Sequence, residues 1–439
     1  MLLTHRVRIY PTNAQKDALW SLSEKCRLFY NFALHERIQN WKRNKKKSKK
    51  QRKYLSYTDQ QNKLPKLKQK YPNYQWVYSK VLQMTLKKLD ANYKSFFALW
   101  RNGAEDARPP SYRGKNHFTT LCYNQSGFKL VDDNVCFSHK LPSKPDLTFD
   151  ISHYPLPARA TNVKQVEAYC NTRERWFVSV SYEVSPKKYI DNGKYQAIDL
   201  GIRNIVSAVN LDGKFVQFKN RRADKYWKRR IEAVQSKRDH FKRYSRKWRW
   251  YHSKLCKMKR KCANQLRDFQ HKISKQVVEN TRANTIIVGK LEVKKMARKK
   301  RSTGNARRNK ANKTLNHSLQ NTGSMGRFVE FLTYKAKHQG KRIIRIDESY
   351  TSQKCAKCGK KKKRSLSERV IICDCGHRLD RDLNSAVNIM AKFVLKKQKK
   401  EFEDDGLSHQ SSLNEESFLQ KWKGFATTHS PKICSPANA

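Results

Sequence analysis

Nowhere in this chain do about 18 apolar residues follow one another, the run that a membrane-spanning helix needs. The N-terminal residues also lack the apolar core of a secretory signal, so neither insertion nor secretion is expected. Acidic residues are scarce: 36 Asp and Glu stand against 97 Lys and Arg in 439 residues, a formal charge of +61. A fold with that excess repels itself and is expected to work beside a polyanion. Nucleic acid is the first choice, because each neutralised phosphate releases condensed counterions and adds affinity. An anionic membrane surface is the weaker alternative. The 11 cysteines are too dilute for a disulfide scaffold. Seven of them (Cys26, Cys122, Cys136, Cys170, Cys256, Cys262 and Cys434) are scattered and read as buried apolar filler.

Residues 3–10 alternate like a short strand and end at Pro11. Leu22, Cys26, Phe29 and Ala33 then recur at helical spacing, which predicts a helix with Asn13 as its cap. A Lys/Arg run from Lys42 to Lys53 interrupts it, and a second long helix reads through Leu82, Leu86, Leu89, Tyr93, Phe96 and Trp100. From about residue 116 to 185 the pattern turns to short strands, with strict alternation over Trp176–Glu183. A small, partly open barrel that takes back the N-terminal strand is expected there. Residues 195–218 read as two strands joined by an Asp-Gly turn at Leu211–Lys214. Two long basic helices follow, striped by Trp227, Ile231 and Val234 and then by Leu255, Leu266, Phe269, Ile273 and Val277. Thr285–Gly289 and Arg342–Ile346 read as strands, residues 294–320 as a basic segment without periodicity, and 399–439 as a disordered tail.

In so basic a chain, an acid beside an apolar strand is conspicuous. Asp199 ends Tyr195-Gln-Ala-Ile, and Glu292 follows the strand ending at Gly289 by three residues. Asp380 and Asp382 precede a helix face of Leu383, Ala386, Val387 and Met390. Hydrolysing a phosphodiester near neutral pH needs an activated water and a stabilised leaving oxygen. Two Mg²⁺ ions about 3.5–4 Å apart supply both when a few carboxylates converge on them. Singly, each acid reads more simply as a surface partner of Lys or Arg. Together, in this order, they read as a metal site.

Cys355-Ala-Lys-Cys358 and Cys373-Asp-Cys375-Gly-His377 offer four thiolates, the donor set of a closed tetrahedral Zn²⁺ site. The second pair is one residue apart rather than two, which leaves His377 open as a replacement for one thiolate. A redox Cys-x-x-Cys lacks its βαβ surroundings here. A closed metal staples rather than reacts, and the basic loop Lys360–Arg364 is expected to be free to touch phosphate.

These segments resemble the TnpB/OrfB proteins of insertion sequences, relatives of the type V CRISPR nucleases. The likeness rests on Ala197-Ile-Asp199-Leu-Gly201, Gly289-Lys-Leu-Glu292-Val293, Thr351-Ser-Gln-Lys-Cys355-Ala-Lys-Cys358-Gly359 and Asp380-Arg-Asp382-Leu-Asn-Ser-Ala386. Val81–Asp90 and Gln125–Leu130 resemble the N-terminal half of the same family. The resemblance implies an α+β multidomain chain. Residues 1–10 would supply the first strand of a small wedge β-barrel, 11–115 a helical recognition insert, and 116–190 the rest of the barrel. Residues 191–347 would form a RuvC-like nuclease of RNase H fold with a basic helical insertion. A zinc-binding target-loading segment at 348–379 would interrupt it, 380–398 would complete it, and 399–439 would be the tail.

The resemblance further implies a transposon-encoded, RNA-guided DNA endonuclease. Its partners would be a guide RNA derived from the transposon end and a double-stranded DNA target with a short adjacent motif. One protein per RNA is expected rather than two, no membrane is involved, and the setting is a prokaryotic cytoplasm beside the nucleoid. Asp199, Glu292 and Asp382 match acids that hold two Mg²⁺ ions, and Cys355, Cys358, Cys373 and Cys375 match ligands of one structural Zn²⁺. Asp380 supports the acids, and Arg369 resembles an arginine near the scissile phosphate. Two rival expectations are an RNA-guided DNA-binding repressor without cleavage and a transposase that joins strands itself. The three acids favour cutting, and no tyrosine or serine recombinase signature appears.

Overall fold

The computed structural model describes residues 1–158, 160, 162–171, 174–290, 325–365, 368–398 and 432–434. The chain forms two compact units, Met1–Ser185 and Pro186–Ala439. Among the described residues, no helix is long and apolar enough to cross a membrane.

The first unit combines helices with antiparallel strands. β1 (Leu2–Ile9) runs alongside β7 (Trp176–Glu183), with Leu2 opposite Glu183 and Ile9 opposite Trp176. The N-terminal strand is therefore taken back by the strand farthest from it in the unit. β6 (Asn162–Cys170) and β2 (Leu121–Asn124) complete a four-stranded sheet in the order β1-β7-β6-β2. β3 (Phe128–Val131), β4 (Asn134–Phe137) and β5 (Thr148–Asp150) form a separate three-stranded sheet. The strands expected as a barrel thus lie in two antiparallel sheets.

α1 (Asn13–Lys45) starts one residue earlier than its expected cap implies. Thr12 caps it, accepting the Gln15 N–H at 3.3 Å while the Gln15 side chain accepts the Thr12 N–H at 2.9 Å. The helix ends inside the Lys/Arg run. α2 (Tyr57–Asn62), α3 (Leu64–Lys70) and α4 (Ser79–Arg101) follow, and α4 stops just before Gly103, whose φ of +73° suits only a glycine well. Leu19, Leu22, Phe29, Leu82, Leu86 and Leu89 share one core with Val178 and Val180 of β7. Cys26 and Cys122 are buried, but Cys136, Cys170, Cys256 and Cys262 are only partly covered, so the filler reading holds for the first two.

The second unit is built on a six-stranded sheet, ordered β12-β11-β8-β9-β10-β15. β8 (Tyr195–Asp199), β9 (Asn204–Asn210) and β10 (Phe215–Lys219) form an antiparallel meander. Residues 195–218 are therefore three strands rather than two, because the turn at Gly201–Arg203 breaks the first run. β11 (Thr285–Gly289) is parallel to β8 on one side and to β12 (Arg342–Ile346) on the other. Every residue of β11 is buried, as a central parallel strand requires. α5 (Ala223–Asp239) and α6 (Arg246–Asn280) are the two basic helices, and α7 is Met325–His338.

Side chains alternate across this sheet with a period of two. Ile198, Ala208, Ile286 and Val288 face Phe269, Ile273 and Val277 of α6 and Phe328 and Leu332 of α7. Ala197, Val209 and Ile287 pack on the other side with Leu383, Ala386, Val387, Met390 and Phe393 of α8 (Arg381–Gln398). β13 (Val370–Ile372) and β14 (Arg378–Asp380) form a small hairpin leading into α8. Glu292, residues 294–320 and most of the segment 399–439 lie outside the described residues. Within that last segment Lys432–Cys434 is described as β15, parallel to β10.

Candidate active site

Strand ends and one helix start assemble the acidic cluster. Asp199 closes β8, paired with Ser207 of β9 on one side, while Ile198 beside it pairs with Val288 of β11 on the other. Asp382 arrives from the start of α8. Asp380 sets its place: Asp380 Oδ1 accepts the N–H groups of Asp382 at 2.9 Å and Leu383 at 3.3 Å, which caps the helix. Gln217 on β10 donates to the same oxygen at 3.0 Å, tying helix start to sheet. Asp380 thus positions the start of α8 and with it Asp382. Asn204 Nδ2 donates to Asp382 Oδ2 at 3.1 Å. The turn between β8 and β9 needs glycine at 201, because a Cβ there would stand 2.7 Å from the Asn204 carbonyl oxygen.

The cluster repels itself. Burial, then the negative charges of Asp382, Glu348 and Asp380, holds the Asp199 carboxyl well above the usual range, with only Arg381 opposing. Asp382 is pushed up by burial and by Asp380, against Arg369 and the Asn204 hydrogen bond. Such a cluster stays protonated or collects cations. Hard oxygen donors around a shared space suit Mg²⁺.

Glu348 was not among the anticipated site residues. It lies two residues beyond β12, and burial, reinforced by Asp347, pushes its carboxyl up to about 7 against the opposing Lys392. The signal was available in the sequence, since Asp347-Glu348 follows an apolar strand directly, as Asp199 ends one.

Arg369 is brought to the acids by the β13–β14 hairpin. Its carbonyl accepts the Arg381 N–H at 2.7 Å, and its Nη1 lies 4.0 Å from Asp382 Oδ1. The Arg369 side chain remains 43% exposed.

The four cysteines converge: one sulfur each from Cys355, Cys358, Cys373 and Cys375 lie within 4.8 Å of one another. Cys355 and Cys375 are 3.8 Å apart, Cys358 and Cys373 3.5 Å. His377 is buried outside this group, its Nε2 without a hydrogen-bond partner, so the fourth thiolate is present and the histidine is not needed. The basic loop is less free than expected. Lys360 is paired with Asp374 at 2.6 Å, Lys361 sits over the Tyr350 ring, and Arg364 donates to the Gln353 carbonyl at 2.8 Å.

Comparison with known proteins supports the same arrangement. Family profiles match at residues 1–46 ("Helix-turn-helix domain"), 178–300 ("Probable transposase", of the OrfB type) and 326–389 ("Cas12f1-like, TNB domain"). The first of these spans a strand and one 33-residue helix here. InsQ of Escherichia coli (strain K12), provisionally named an RNA-guided DNA endonuclease, is 24% identical over 399 residues, covering 89% of this chain and 92% of that one. A Streptomyces pristinaespiralis protein with the same provisional name is 26% identical, covering 88% of each. The cryo-EM structure of a Cas12f1–sgRNA–target DNA complex shares the fold at TM-score 0.58 and 12% identity, covering 89% of this chain and 98% of that one. The fold and matched segments define the class, that of insertion-sequence proteins and compact type V effectors. Within it, the chain is similar over these segments to proteins of the OrfB type.

Proposed function

We propose that this chain is a transposon-encoded, RNA-guided DNA endonuclease that hydrolyses phosphodiester bonds at a two-metal site. One observation carries the reading: Asp199 and Asp382, 183 residues apart, come together in one partly buried carboxylate cluster whose charges repel. The names of the relatives support the RNA-guided activity. The meander β8–β9–β10 extended by parallel β11 and β12, with helices on both faces, supports a RuvC-like domain of RNase H fold. The two antiparallel sheets and α1–α4 of the first unit support a wedge domain with a helical recognition insert.

Two Mg²⁺ ions held by Asp199, Asp382 and a third acid would supply the activated water and the stabilised leaving oxygen. The chain itself does the rest. Asp380 fixes the backbone of Asp382, Asn204 fixes its carboxylate, and Arg369 stands beside it to steady the scissile phosphate. One Zn²⁺ on the four cysteines would staple the segment at 348–379 to α8. The +61 charge favours an RNA scaffold and a heteroduplex held by backbone contacts, with base pairing choosing the sequence.

The test uses purified protein with its co-purifying RNA and DNA matched to that RNA. In Mg²⁺ it is expected to leave 5′-phosphate and 3′-hydroxyl ends, and Asp199→Ala is expected to abolish the cut. Matched binding without cleavage in either Mg²⁺ or Mn²⁺ selects the repressor reading, and joined strands on the product gel select a transposase.

A further inference from the structure

The turn that joins α5 to α6, with the first residues of α6, is made almost wholly of rings and cations. From Phe241 to Tyr251, five aromatics are interleaved with five Lys or Arg, Ser245 is the remaining residue, and there is no acid. Aromatics that hold a hairpin together are normally buried, yet no residue of this segment is. Tyr244 is 58% and Trp250 59% exposed. Phe269 packs α6 against the sheet, and Trp248 lies roughly 30 Å along the helix from it at 1.5 Å per residue. The segment is thus the tip of an arm.

The rings at this tip are ordered. Trp248 stacks on His252, their centroids 4.6 Å apart and their planes at 9°, and Phe241 stacks on Tyr251 at 5.5 Å and 12°. Tyr244 meets Trp248 edge-on at 5.4 Å. Arg238 lies 5.5 Å from the Trp248 centroid, Arg243 4.9 Å from that of Tyr244 and Lys247 5.7 Å from that of Phe241. Arg238, Asp239, Phe241, Arg243, Trp248 and His252 line an open cavity of about 440 Å³. Its one acid, Asp239, is paired with Arg238 at 2.6 Å. Tyr244 also sits at φ +69°, where a bulky side chain is strained and glycine is not. Backbone strain of that kind gathers at ligand sites.

Stacked rings beside cations offer a π surface for a heterocycle and positive charge for the phosphate attached to it. Bases within a duplex hide their faces, so the matching ligand is an unpaired nucleotide, which folded RNA presents in loops and bulges. A DNA strand awaiting the cut must run to the acids at the strand ends. The tip of an arm suits a strand that stays bound. We propose that the tip of the α5–α6 hairpin is a stacking site for an unpaired base of RNA, with Trp248 and Tyr244 as its platform and Arg243 and Lys247 meeting the phosphates. That this RNA is the guide rests on the reading above, while the stacking itself does not.

Full-length protein is irradiated with ultraviolet light beside its co-purifying RNA and, separately, beside a short oligoriboadenylate, and nucleotide adducts are located by mass spectrometry. Adducts are expected on Trp248 and Trp250 in both mixtures. Titrating the oligoriboadenylate and following the Trp250 adduct reads affinity at this site alone. Trp248→Ala is expected to weaken that affinity about 10-fold, and Trp248→Phe to recover most of it. Tyr244→Gly removes a ring and relieves the backbone, so affinity is expected to fall while the melting temperature does not. A purely structural tyrosine gives the opposite pair of results. The proposal is overturned by the absence of adducts from residues 241–251, or by wild-type affinity in both Trp248→Ala and Tyr244→Gly. Equal affinity for an RNA duplex would reduce the site to charge alone, and tighter binding of an oligodeoxyadenylate or of phosphatidylserine vesicles would assign it to DNA or to lipid. Adducts at the tip from an RNA that directs no cleavage would sink the guided-nuclease reading and leave the stacking site standing.

Discussion

Asn384 accepts the backbone N–H of Ala356 at 3.0 Å, reaching across 28 residues of chain. Its amide also donates to the Lys354 carbonyl at 2.8 Å. One turn along α8, Asn388 donates to the carbonyls of Thr351 and Lys354, each at 2.8 Å. Both asparagines are buried, and between them they grip the loop that presents Cys355. The same helix carries Asp382 in its first turn. The cysteine cluster and the acidic cluster therefore share one rigid element. Asn384→Ala would strand the buried N–H of Ala356, a loss of about 1–3 kcal/mol, while the Lys354 carbonyl keeps its bond from Asn388. Expected in urea unfolding is a lower midpoint, accompanied by slower cleavage while RNA binding is unchanged. An unchanged midpoint would contradict the clamp.

The sulfur cluster predicts its own metal content. Four thiolates within 4.8 Å leave no open position, so elemental analysis should find one zinc per chain. Cys373→Ser is expected to lose it. His377→Ala is expected to keep it, because the buried His377 ring lies outside the four sulfurs. Zinc loss in the histidine variant would show that the ring replaces a thiolate.

Most of the architecture was legible because it rests on periodicity. The stripes on α4 and α6, the alternation of β7 and the apolar run of β11 each produced the expected element. Asp199 and Asp382 were legible for a related reason, since an acid at the edge of an apolar segment is costly unless it is used. What escaped depends on register between strands. Glu348 and Gly289 are 59 positions apart, and only the pairing of Gly289 with Ile346 reveals that one fills the space left by the other. Likewise, the Asp-Gly turn at 212–213 was visible, but the second break at Gly201 was hidden between Leu200, Ile202 and Ile205, whose apolar side chains read on as strand. The cap of α1 was misread by one residue, because Thr12 and Asn13 are both good capping residues and only the Thr12–Gln15 reciprocal bonds decide between them.

Arg369 offers a test that reports on Asp382 as well as on phosphate. At 4.0 Å from Asp382, it opposes the burial that raises that carboxyl. Arg369→Gln removes the opposition, so Asp382 should hold its proton to higher pH, and the acidic limb of the cleavage profile should move upward. Loss of a donor near a developing anion adds a rate decrease of roughly 10²-fold. Arg369→Lys keeps the charge but not the two-pronged geometry. It is expected to restore the position of the limb while recovering only part of the rate. A glutamine variant with an unshifted profile would place Arg369 outside the site.

The self-repelling acids also fix how metal-free stability depends on pH. Glu348 rises from an ordinary 4.5 to about 7, and Asp199 and Asp382 are raised in the same sense. Between those limits the folded chain holds protons that the unfolded chain has released, so stability falls with rising pH. The contribution of Glu348 is full below 4.5 and lost as pH passes through about 7. Glu24, held low by Arg27, acts below this window, its contribution being complete above 4.5. His117, His271 and His377, lowered from 6.5 chiefly by burial, pull the other way as pH rises toward that value. The informative quantity is therefore the difference between wild type and Glu348→Gln. Calorimetry on metal-free protein should find the variant gaining in relative melting temperature from pH 4.5 to 7. Mg²⁺ should narrow that gap at neutral pH, because a cation that binds only the folded, deprotonated cluster stabilises wild type by mass action. A gap that is flat with pH, or one that widens on adding Mg²⁺, would mean that the Glu348 carboxylate does not face the cluster.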